Sequence, residues 1–248
     1  MNIRTYVLHI DEIEKDIFKN NVIKNNINDD NFNYFIGVDG KKFIKNYLDY
    51  LSDFDRDEFR IDNINSPEII EYILWYKNQY GKALISSCGA WGHILSFINI
   101  LKDAIICNYD RIIIYEFDAI FMNNFNKHLD RFKETIYSSL YPVLYLGASQ
   151  LNWTDITVKD HLYQANRYTN GTFALALDKS VFKEYLYLLE LKILPSDTCL
   201  FFLNYPKYVI YPNLVIADIT VSKIRQKQNL KKVSKILKWN LQLYQVAN

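Results

Sequence analysis

Apolar runs alternate along the chain with segments whose apolar residues recur at every third or fourth position. Residues 3–10 form a β-favouring apolar run, and residues 12–25 have helical spacing with Asp11 placed to cap them. Residues 32–38 are a second β-favouring run, which Asp39-Gly40 closes with a turn signal. A strand, a helix and a strand in this order predict the beginning of an open parallel sheet.

Two later helices have clear start signals. Ser66-Pro67-Glu68 supplies an N-cap, a first-turn proline and an acid, and Gly81 supplies the stop. We interpret the apolar residues of this helix as packing, namely Ile69, Ile70, Ile73, Leu74 and Tyr76. Residues 89–93, Gly-Ala-Trp-Gly-His, then open a long apolar helix. Its glycines either let backbone N–H groups approach an anionic ligand or only allow close packing, and His93 is either a ligand or a buried histidine.

The most informative stretch is residues 111–120, in which an uninterrupted apolar run leads into two acids. Such a run predicts a strand buried on both faces inside a parallel sheet, and such strands bind ligands beyond their carboxyl ends. Glu116 and Asp118 stand at that end with one residue between them, so an extended backbone points both to the same face. They either hold Mg²⁺ or Mn²⁺ together with substrate phosphates or simply begin a solvated loop.

The rest of the chain continues this alternation. Residues 121–137 are amphipathic, strands are predicted at 140–146, 173–177 and 208–211, and helices at 181–193 and 198–203. Trp153 lies in a loop, where an aromatic ring either stacks on a sugar or fills a gap in the packing. Ser196 or Asp197 has the place of an N-cap for the second of these helices. The irregular, acidic residues 41–65 are interpreted as surface structure.

Residues 219–248 contain seven Lys or Arg and no acid. Their apolar residues fall on one helical face, namely Leu230, Val233, Leu237, Leu241 and Tyr244. A basic amphipathic helix either lies on an anionic membrane surface or packs on its own domain or a second subunit. We favour packing or oligomerisation, because a solvated charged face is the usual appearance of a surface helix. The chain is therefore divided into a domain at 1–225 and a C-terminal amphipathic helix at 226–248.

Composition limits the classes of function. A chain of 248 residues with 50% hydrophobic content can form one large α/β domain or two small ones. The net charge of +1 gives no general attraction for nucleic acid. Three cysteines without a CxxC pair indicate reduced thiols. We see neither a signal peptide nor an apolar stretch long enough to span a bilayer, and therefore expect a cytoplasmic protein.

Six motifs occur in an order that resembles one family. They are Phe35-Ile36-Gly37-Val38-Asp39-Gly40, Gly89-Ala90-Trp91-Gly92-His93-Ile94-Leu95-Ser96, Ile112-Ile113-Ile114-Tyr115-Glu116-Phe117-Asp118, Leu144-Tyr145-Leu146-Gly147, Gly171-Thr172-Phe173-Ala174 and Pro195-Ser196-Asp197. Their order and spacing are similar to those of glycosyltransferase family 25, which includes lipooligosaccharide and collagen hydroxylysine galactosyltransferases. The resemblance covers most of residues 3–225.

The resemblance implies a GT-A fold, in which a Rossmann-like, mostly parallel sheet flanked by helices binds a nucleotide sugar, usually UDP-linked. It implies Mn²⁺ or Mg²⁺ between the diphosphate and an acidic motif, whose outer acids match Glu116 and Asp118, with Asp118 the first choice as direct ligand. The implied nucleotide-sugar contacts are His9, Val38, Asp39, Gly40, His93, Tyr115, Glu116 and Phe117. Asp197 matches the general base near the acceptor, and we assign Trp153 and Gly171 to the acceptor.

The chain departs from the family pattern at two places. Phe117 replaces the middle acid, and residues 9–11, His-Ile-Asp, stand where the family usually has Asn-Leu followed by Arg. The C-terminal third also contains no histidine to serve as a further metal ligand, and Asp218 is the candidate substitute. These departures bear on metal affinity and on the nucleotide contact.

The activity that the resemblance implies is transfer of a hexose from a nucleotide sugar to an acceptor hydroxyl, with inversion. The acceptor would be a glycan, a protein or a lipid-linked molecule. The alternative is a non-catalytic nucleotide-sugar-binding or assembly module, which Phe117 and the basic C-terminal segment favour. A general Rossmann-type hydrolase is less favoured, because the sequence has neither a GxGxxG nor a Walker loop.

Overall fold

The computed structural model describes residues 1–55, 64, 66–221 and 229–246. The strands are β1 (Ile3–His9), β2 (Asn33–Ile36), β3 (Arg111–Glu116), β4 (Ala119–Phe121), β5 (Val143–Gln150), β6 (Leu162–Gln164), β7 (Thr169–Asp178), β8 (Lys207–Ile210) and β9 (Val215–Ala217). The helices are α1 (Glu12–Lys24), α2 (Ile44–Asp55), α3 (Pro67–Tyr80), α4 (Cys88–Ile106), α5 (Phe125–Arg131), α6 (Lys133–Tyr137), α7 (Lys179–Glu190), α8 (Ser196–Phe202) and α9 (Leu230–Leu237). The predicted boundary at 225–226 and the acidic residues 56–62 lie outside the described residues.

The central sheet has seven strands within the described ranges, in the order β2-β1-β3-β7-β5-β8-β6. Five of them run in one direction, whereas β7 and β6 run against their neighbours. The protein therefore has an α/β fold with a mostly parallel sheet flanked by helices, as the sequence predicts. The reversal of β7 was not predicted. A separate two-stranded sheet pairs β4 with β9.

Strand β3 is buried on both faces, which confirms the prediction from its apolar run. Ile112 and Ile114 belong to a core that also contains residues of α3, α4 and α7. Ile113 and Tyr115 point the other way, into a second core built with α1, α5 and α9. The alternation along one strand thus joins the two halves of the hydrophobic interior, as expected for a central strand.

Several helix ends follow the predicted local chemistry. Asp11 accepts a hydrogen bond from the backbone of Glu14 at 2.8 Å and caps α1. Helix α3 begins after Ser66, and it ends at Gly81, which has the left-handed conformation with φ of 60°. The expected cap of α8 is wrong, because its N-cap position is Pro195 and no side chain caps the helix.

The C-terminal segment contains a shorter helix than predicted, because α9 covers only eight residues. Its apolar side packs against the second core through Leu237, while Lys231, Lys232 and Lys235 are exposed. Beyond the helix, the Trp239 indole donates to the carbonyl of Ala148 at 3.1 Å. The described part of this segment therefore packs on its own domain. Within the described ranges, no helix is both long enough and apolar enough to cross a membrane.

The loop after β2 lies directly against the first turns of α4. A Cβ at Gly92 would lie 2.5 Å from the backbone nitrogen of Gly40 and the carbonyl oxygen of Val38, and a Cβ at Gly40 would lie 1.7 Å from the carbonyl oxygen of Cys88. These contacts involve backbone atoms, which cannot swing away as a side chain can. Close packing therefore explains Gly92 without a ligand.

We expect Gly92→Ala to lower the free energy of unfolding by about 3 kcal/mol, because the new methyl group overlaps two backbone atoms. Thermal denaturation should show a midpoint lower by about 6–12 °C. Gly81→Ala is the comparison, since a Cβ there meets nothing within 4 Å. Only the left-handed backbone penalty of about 1 kcal/mol applies at that position. Equal losses in the two variants would contradict the packing argument.

Candidate functional site

A cleft of about 370 Å³ opens at the edge of the sheet where β3 ends. Because β7 runs against β3, its first residues come to the same edge as the last residue of β3. The beginnings of α4 and α8 reach this edge from the side of the first core. Five of the predicted site residues line the cleft: His93, Glu116, Asp118, Gly171 and Asp197.

The two acids of the central motif lie on either side of a sharp change in chain direction. Strand β3 ends at Glu116, a turn contains Phe117 and Asp118, and β4 begins at Ala119. Glu116 and Asp118 both line the cleft, whereas Phe117 is not among the described residues that do so. The turn therefore brings the two carboxylates to one site without an acid between them.

His93 connects Glu116 to helix α8. Its Nε2 lies 3.2 Å from Oε1 of Glu116, and its Nδ1 lies 2.8 Å from the hydroxyl oxygen of Ser196. Burial lowers the pKa of His93, but the charge and hydrogen bond of Glu116, together with the charge of Asp197, outweigh burial and raise the pKa above its usual value. A protonated His93 would direct one N–H to Glu116 and the other to Ser196.

Thr172 completes this hydrogen-bonded chain. Its hydroxyl donates to Oε1 of Glu116 at 2.6 Å and lies 3.4 Å from Nε2 of His93. Thr172, Glu116, His93 and Ser196 therefore link β7, β3, α4 and α8 across the floor of the cleft. The family motifs contain Thr172 and Ser196, but nothing local in the sequence indicates that they contact Glu116 and His93.

Asp118 differs from Glu116, because its Oδ1 has no hydrogen-bond partner although the residue is only 7% exposed. Burial, followed by the negative charges of Glu116 and Asp218, raises the pKa of Asp118 well above its usual value. Asp218 is close because β4 pairs with β9, and its backbone nitrogen donates to the carbonyl of Asp118 at 2.7 Å. The structure thus places beside Asp118 the acid that the sequence offered as a substitute ligand.

This arrangement fits a divalent cation. An unsatisfied buried carboxylate oxygen next to a second carboxylate is the environment that a hard cation relieves. Within the described ranges, no group of three or more His, Cys, Asp and Glu side chains is arranged to hold a metal. Two carboxylates are nevertheless enough for Mg²⁺ or Mn²⁺ when substrate phosphates and water complete the shell. Each of the two neighbouring acids has one oxygen engaged, because Oε1 of Glu116 contacts Thr172 and His93, and Oδ1 of Asp218 accepts hydrogen bonds from the backbone and the hydroxyl of Thr220. Glu116 lines the cleft together with Asp118, whereas Asp218 is not among the described residues that do so.

Asp197 is half-buried near the beginning of α8 and lines the cleft. Its Oδ1 accepts a hydrogen bond from the backbone of Thr198 at 2.9 Å. It does not serve as the predicted N-cap, and neither does the preceding residue, because the hydroxyl of Ser196 is directed to His93. The contact between Ser196 and His93 therefore fixes the first turn of α8, which carries Asp197.

Most of the other predicted contacts lie outside this cleft. Tyr115 is buried in the second core, and His9 is buried with its Nδ1 3.1 Å from the carbonyl of Asp11. Val38, Asp39 and Gly40 form the loop that packs on α4, where the backbone of Val38 donates to the hydroxyl of Ser96 at 2.8 Å. These residues remain predictions for the nucleotide contact.

The aromatic residues at the cleft are not the one that the sequence suggested. Trp153 packs against Tyr163 and Tyr211, with ring centroids 5.5 and 5.1 Å away, and does not line the cleft. Tyr72 and Tyr76 of α3 line it instead. The interpretation of Tyr76 as packing is therefore incomplete, because helical spacing identifies a face without showing that the face borders a cleft.

Comparisons with known proteins give limited information. No protein-family profile matches the chain, and no curated protein is similar enough to match. Among solved structures, the chain is similar to mannose-1-phosphate geranyltransferase from Thermus thermophilus, with 8% identity, a TM-score of 0.38, and coverage of 85% of this chain and 74% of that one. A likeness of this strength carries no argument about function. The resemblance to glycosyltransferase family 25 therefore depends on the motifs themselves.

We expect the pKa of His93 in the metal-free protein to lie above its usual value of 6.5, and Glu116→Gln to lower it. Because the folded-state pKa is raised, the stability that this contact contributes is complete below about pH 6.5. That contribution is lost as the pH rises through the pKa of His93. The free energy of unfolding of the wild type should therefore exceed that of Glu116→Gln by more at pH 6 than at pH 9.

Imidazole NMR titration measures this pKa directly, and a His93→Gln variant assigns the signal. His128 provides an internal contrast, because burial and the nearby Arg131 and Lys127 lower its pKa. A His93 signal that titrates below the His128 signal would contradict the ion pair with Glu116.

Proposed function

We propose that the protein is a metal-dependent glycosyltransferase that moves a hexose from a nucleotide sugar, most simply a UDP-sugar, to an acceptor hydroxyl. The observation that carries this proposal is the composition of the cleft. It holds an unsatisfied buried carboxylate beside a second acid, and a separate carboxylate on another element. The buried carboxylate beside a second acid suits the binding of a divalent cation together with a diphosphate. The separate carboxylate suits a general base. The motif resemblance to family 25 supports the same activity.

In this proposal Asp118 holds Mn²⁺ or Mg²⁺, and Glu116 or Asp218 supplies the second carboxylate. When bound, the ion supplies Lewis-acid stabilisation of the negative charge on the diphosphate leaving group. Phe117, in place of the family's middle acid, does not leave Asp118 alone, because Glu116 lines the same cleft and the backbone of Asp218 donates to the carbonyl of Asp118. Glu116 also contacts Thr172 and His93 through its Oε1, which ties this acid to β7 and α4.

Asp197 is the proposed general base. It takes the proton from the acceptor hydroxyl while that oxygen attacks the anomeric carbon from the face opposite the leaving group, so the configuration inverts. His93 positions this base, because its contact with Ser196 holds the first turn of α8. A carboxylate held in this way loses less freedom when the acceptor binds.

Asp118→Asn tests the metal site. At saturating UDP and Mn²⁺, the wild type should gain roughly 5–11 °C in its melting midpoint, as expected for a ligand near 100 times its Kd. The variant should gain almost nothing. Without metal, the variant should melt at the same or a higher temperature than the wild type at pH 7, because it removes a buried carboxylate whose pKa is raised.

Asp130→Asn is the matched control, since Asp130 is exposed on α5. It should leave both midpoints unchanged. An Asp118→Asn protein that retains the full Mn²⁺-dependent shift would remove Asp118 from the metal site.

Asp197→Asn tests the base. Release of UDP from the donor sugar, with water or an acceptor as nucleophile, should fall by about 10²–10⁴-fold, the usual contribution of general base catalysis. The donor-induced thermal shift should stay the same, because Asp197 is not among the proposed donor ligands. Asp49→Asn, an exposed acid on α2, is the control and should keep full turnover.

The non-catalytic alternative gives a different result in the same assay. A binding module would show the nucleotide-dependent thermal shift in the wild type but no release of UDP in any variant. Full turnover by Asp197→Asn would instead show that the protein is an enzyme whose general base is not Asp197.

A further inference from the structure

Helix α3 carries four aromatic residues whose rings contact one another: Tyr72, Trp75, Tyr76 and Tyr80, which we call the aromatic row. Tyr72, Tyr76 and Tyr80 are four residues apart and Trp75 follows Tyr72 by three, so that the rings lie next to one another on the helix surface. Ring centroids are 5.7 Å apart for Tyr72 and Trp75, 4.7 Å for Tyr76 and Tyr80, and 6.0 Å for Trp75 and Tyr80. Ile69 and Ile73 of the same helix are buried in the first core, and Tyr72 and Tyr76 also pack against that core.

The aromatic row leads from the cleft to the surface. Tyr72 and Tyr76 line the cleft, whereas Trp75 and Tyr80 are each 52% exposed. A continuous aromatic surface that extends outward from the cleft indicates a binding site, because contiguous exposed apolar surface usually marks one, whereas single exposed apolar residues do not. Tyr and Trp also provide large, rigid contact area at little cost in side-chain entropy.

The inner end of the aromatic row is fixed beside the proposed base. Tyr72 packs edge-on against Phe202 of α8, with ring centroids 5.4 Å apart, and α8 carries Asp197 near its beginning. A molecule that lies on the aromatic row with one end at Tyr72 would therefore bring that end next to the Asp197 carboxylate. This is the position that the attacking hydroxyl must take.

We propose that the aromatic row is the acceptor subsite and that its ligand is an oligosaccharide. The assignment of this ligand as acceptor rests on the proposed transferase function. The C–H groups on one face of a pyranose are attracted to the negative face of an aromatic ring, and tyrosine hydroxyls exchange hydrogen bonds with sugar hydroxyls. The helical rise separates Tyr72 from Tyr80 by about 12 Å, which is longer than a single sugar ring and favours a ligand of two or more units.

The test is binding of oligosaccharides to the full chain, with and without UDP and Mn²⁺. An array of neutral and acidic glycans selects the strongest ligand, and calorimetry then measures its Kd. In the wild type, bound sugar should shift tryptophan fluorescence to the blue, because Trp75 is exposed while Trp91 and Trp239 are each only 6% exposed. The fourth tryptophan, Trp153, is partly buried and does not line the cleft, and Trp75→Phe should abolish the shift. A purely structural role of the aromatic row would produce no such shift.

Trp75→Ala and Tyr76→Ala should each weaken oligosaccharide binding about tenfold, a loss typical of an aromatic contact at a binding site. Trp75→Phe should restore most of the affinity, since it retains a ring. Leu74→Ala is the matched control on the same helix, because Leu74 is 45% exposed and aliphatic. It should bind like the wild type. The Mn²⁺-dependent thermal shift with UDP should be the same in Trp75→Ala, Trp75→Phe and Leu74→Ala, whose side chains are not among those that line the cleft.

The possible results separate this proposal from the proposed function. Oligosaccharide binding that depends on Trp75 and Tyr76, in a protein that never releases UDP, would support the subsite and reject the transferase. Nucleotide binding and turnover without oligosaccharide binding, or with binding that both alanine variants retain, would overturn the subsite alone. Binding of the aromatic row to lipid vesicles in place of glycans would also overturn it.

Discussion

The burial of negative charge at the end of β3 is the constraint on which the site depends. Glu116, Asp118 and Asp218 are close enough for the first and last of these to raise the pKa of the second. Glu116 is balanced by His93, whereas one oxygen of Asp118 has no hydrogen-bond partner. Such a group costs stability, and the fold tolerates it because a hydrophobic core supports the sheet on each face. Active sites often keep such an uncompensated buried charge, because a bound ligand neutralises it.

The reversed strand β7 makes this concentration of polar groups possible. If every central strand ran the same way, the edge of the sheet at Glu116 would receive only carboxyl ends. The antiparallel pairing of β3 with β7 instead brings the first residues of β7, including Thr172, beside Glu116. The second reversal, in the small sheet, brings Asp218 beside Asp118. Two antiparallel pairings thus assemble a site that chain order alone scatters over more than 100 residues.

Much of the fold was predictable, because its signals are local. The apolar run of β3 and the capping residues of α1 and α3 act within a few positions, and the structure has this strand and these caps where the sequence predicts them. The contact of Asp118 with Asp218 was not predictable with the same security, since strands as short as β4 and β9 have little pattern of their own. Ser196 shows how a distant contact can replace a local one. Its local preference is to cap α8, but its hydroxyl lies 2.8 Å from Nδ1 of His93, 103 positions away, and makes its hydrogen bond there.

The C-terminal segment has a consequence for the order in which the protein can fold during synthesis. Among the described residues, the buried members of the core that contains α3, α4 and α7 end at Val209, with Tyr211 packed against them. The other core also requires Leu237, Trp239 and Tyr244. On the ribosome, the first face of the sheet can therefore close while the second still exposes apolar side chains. Until the last of these residues emerges, that second face is the surface a chaperone would meet.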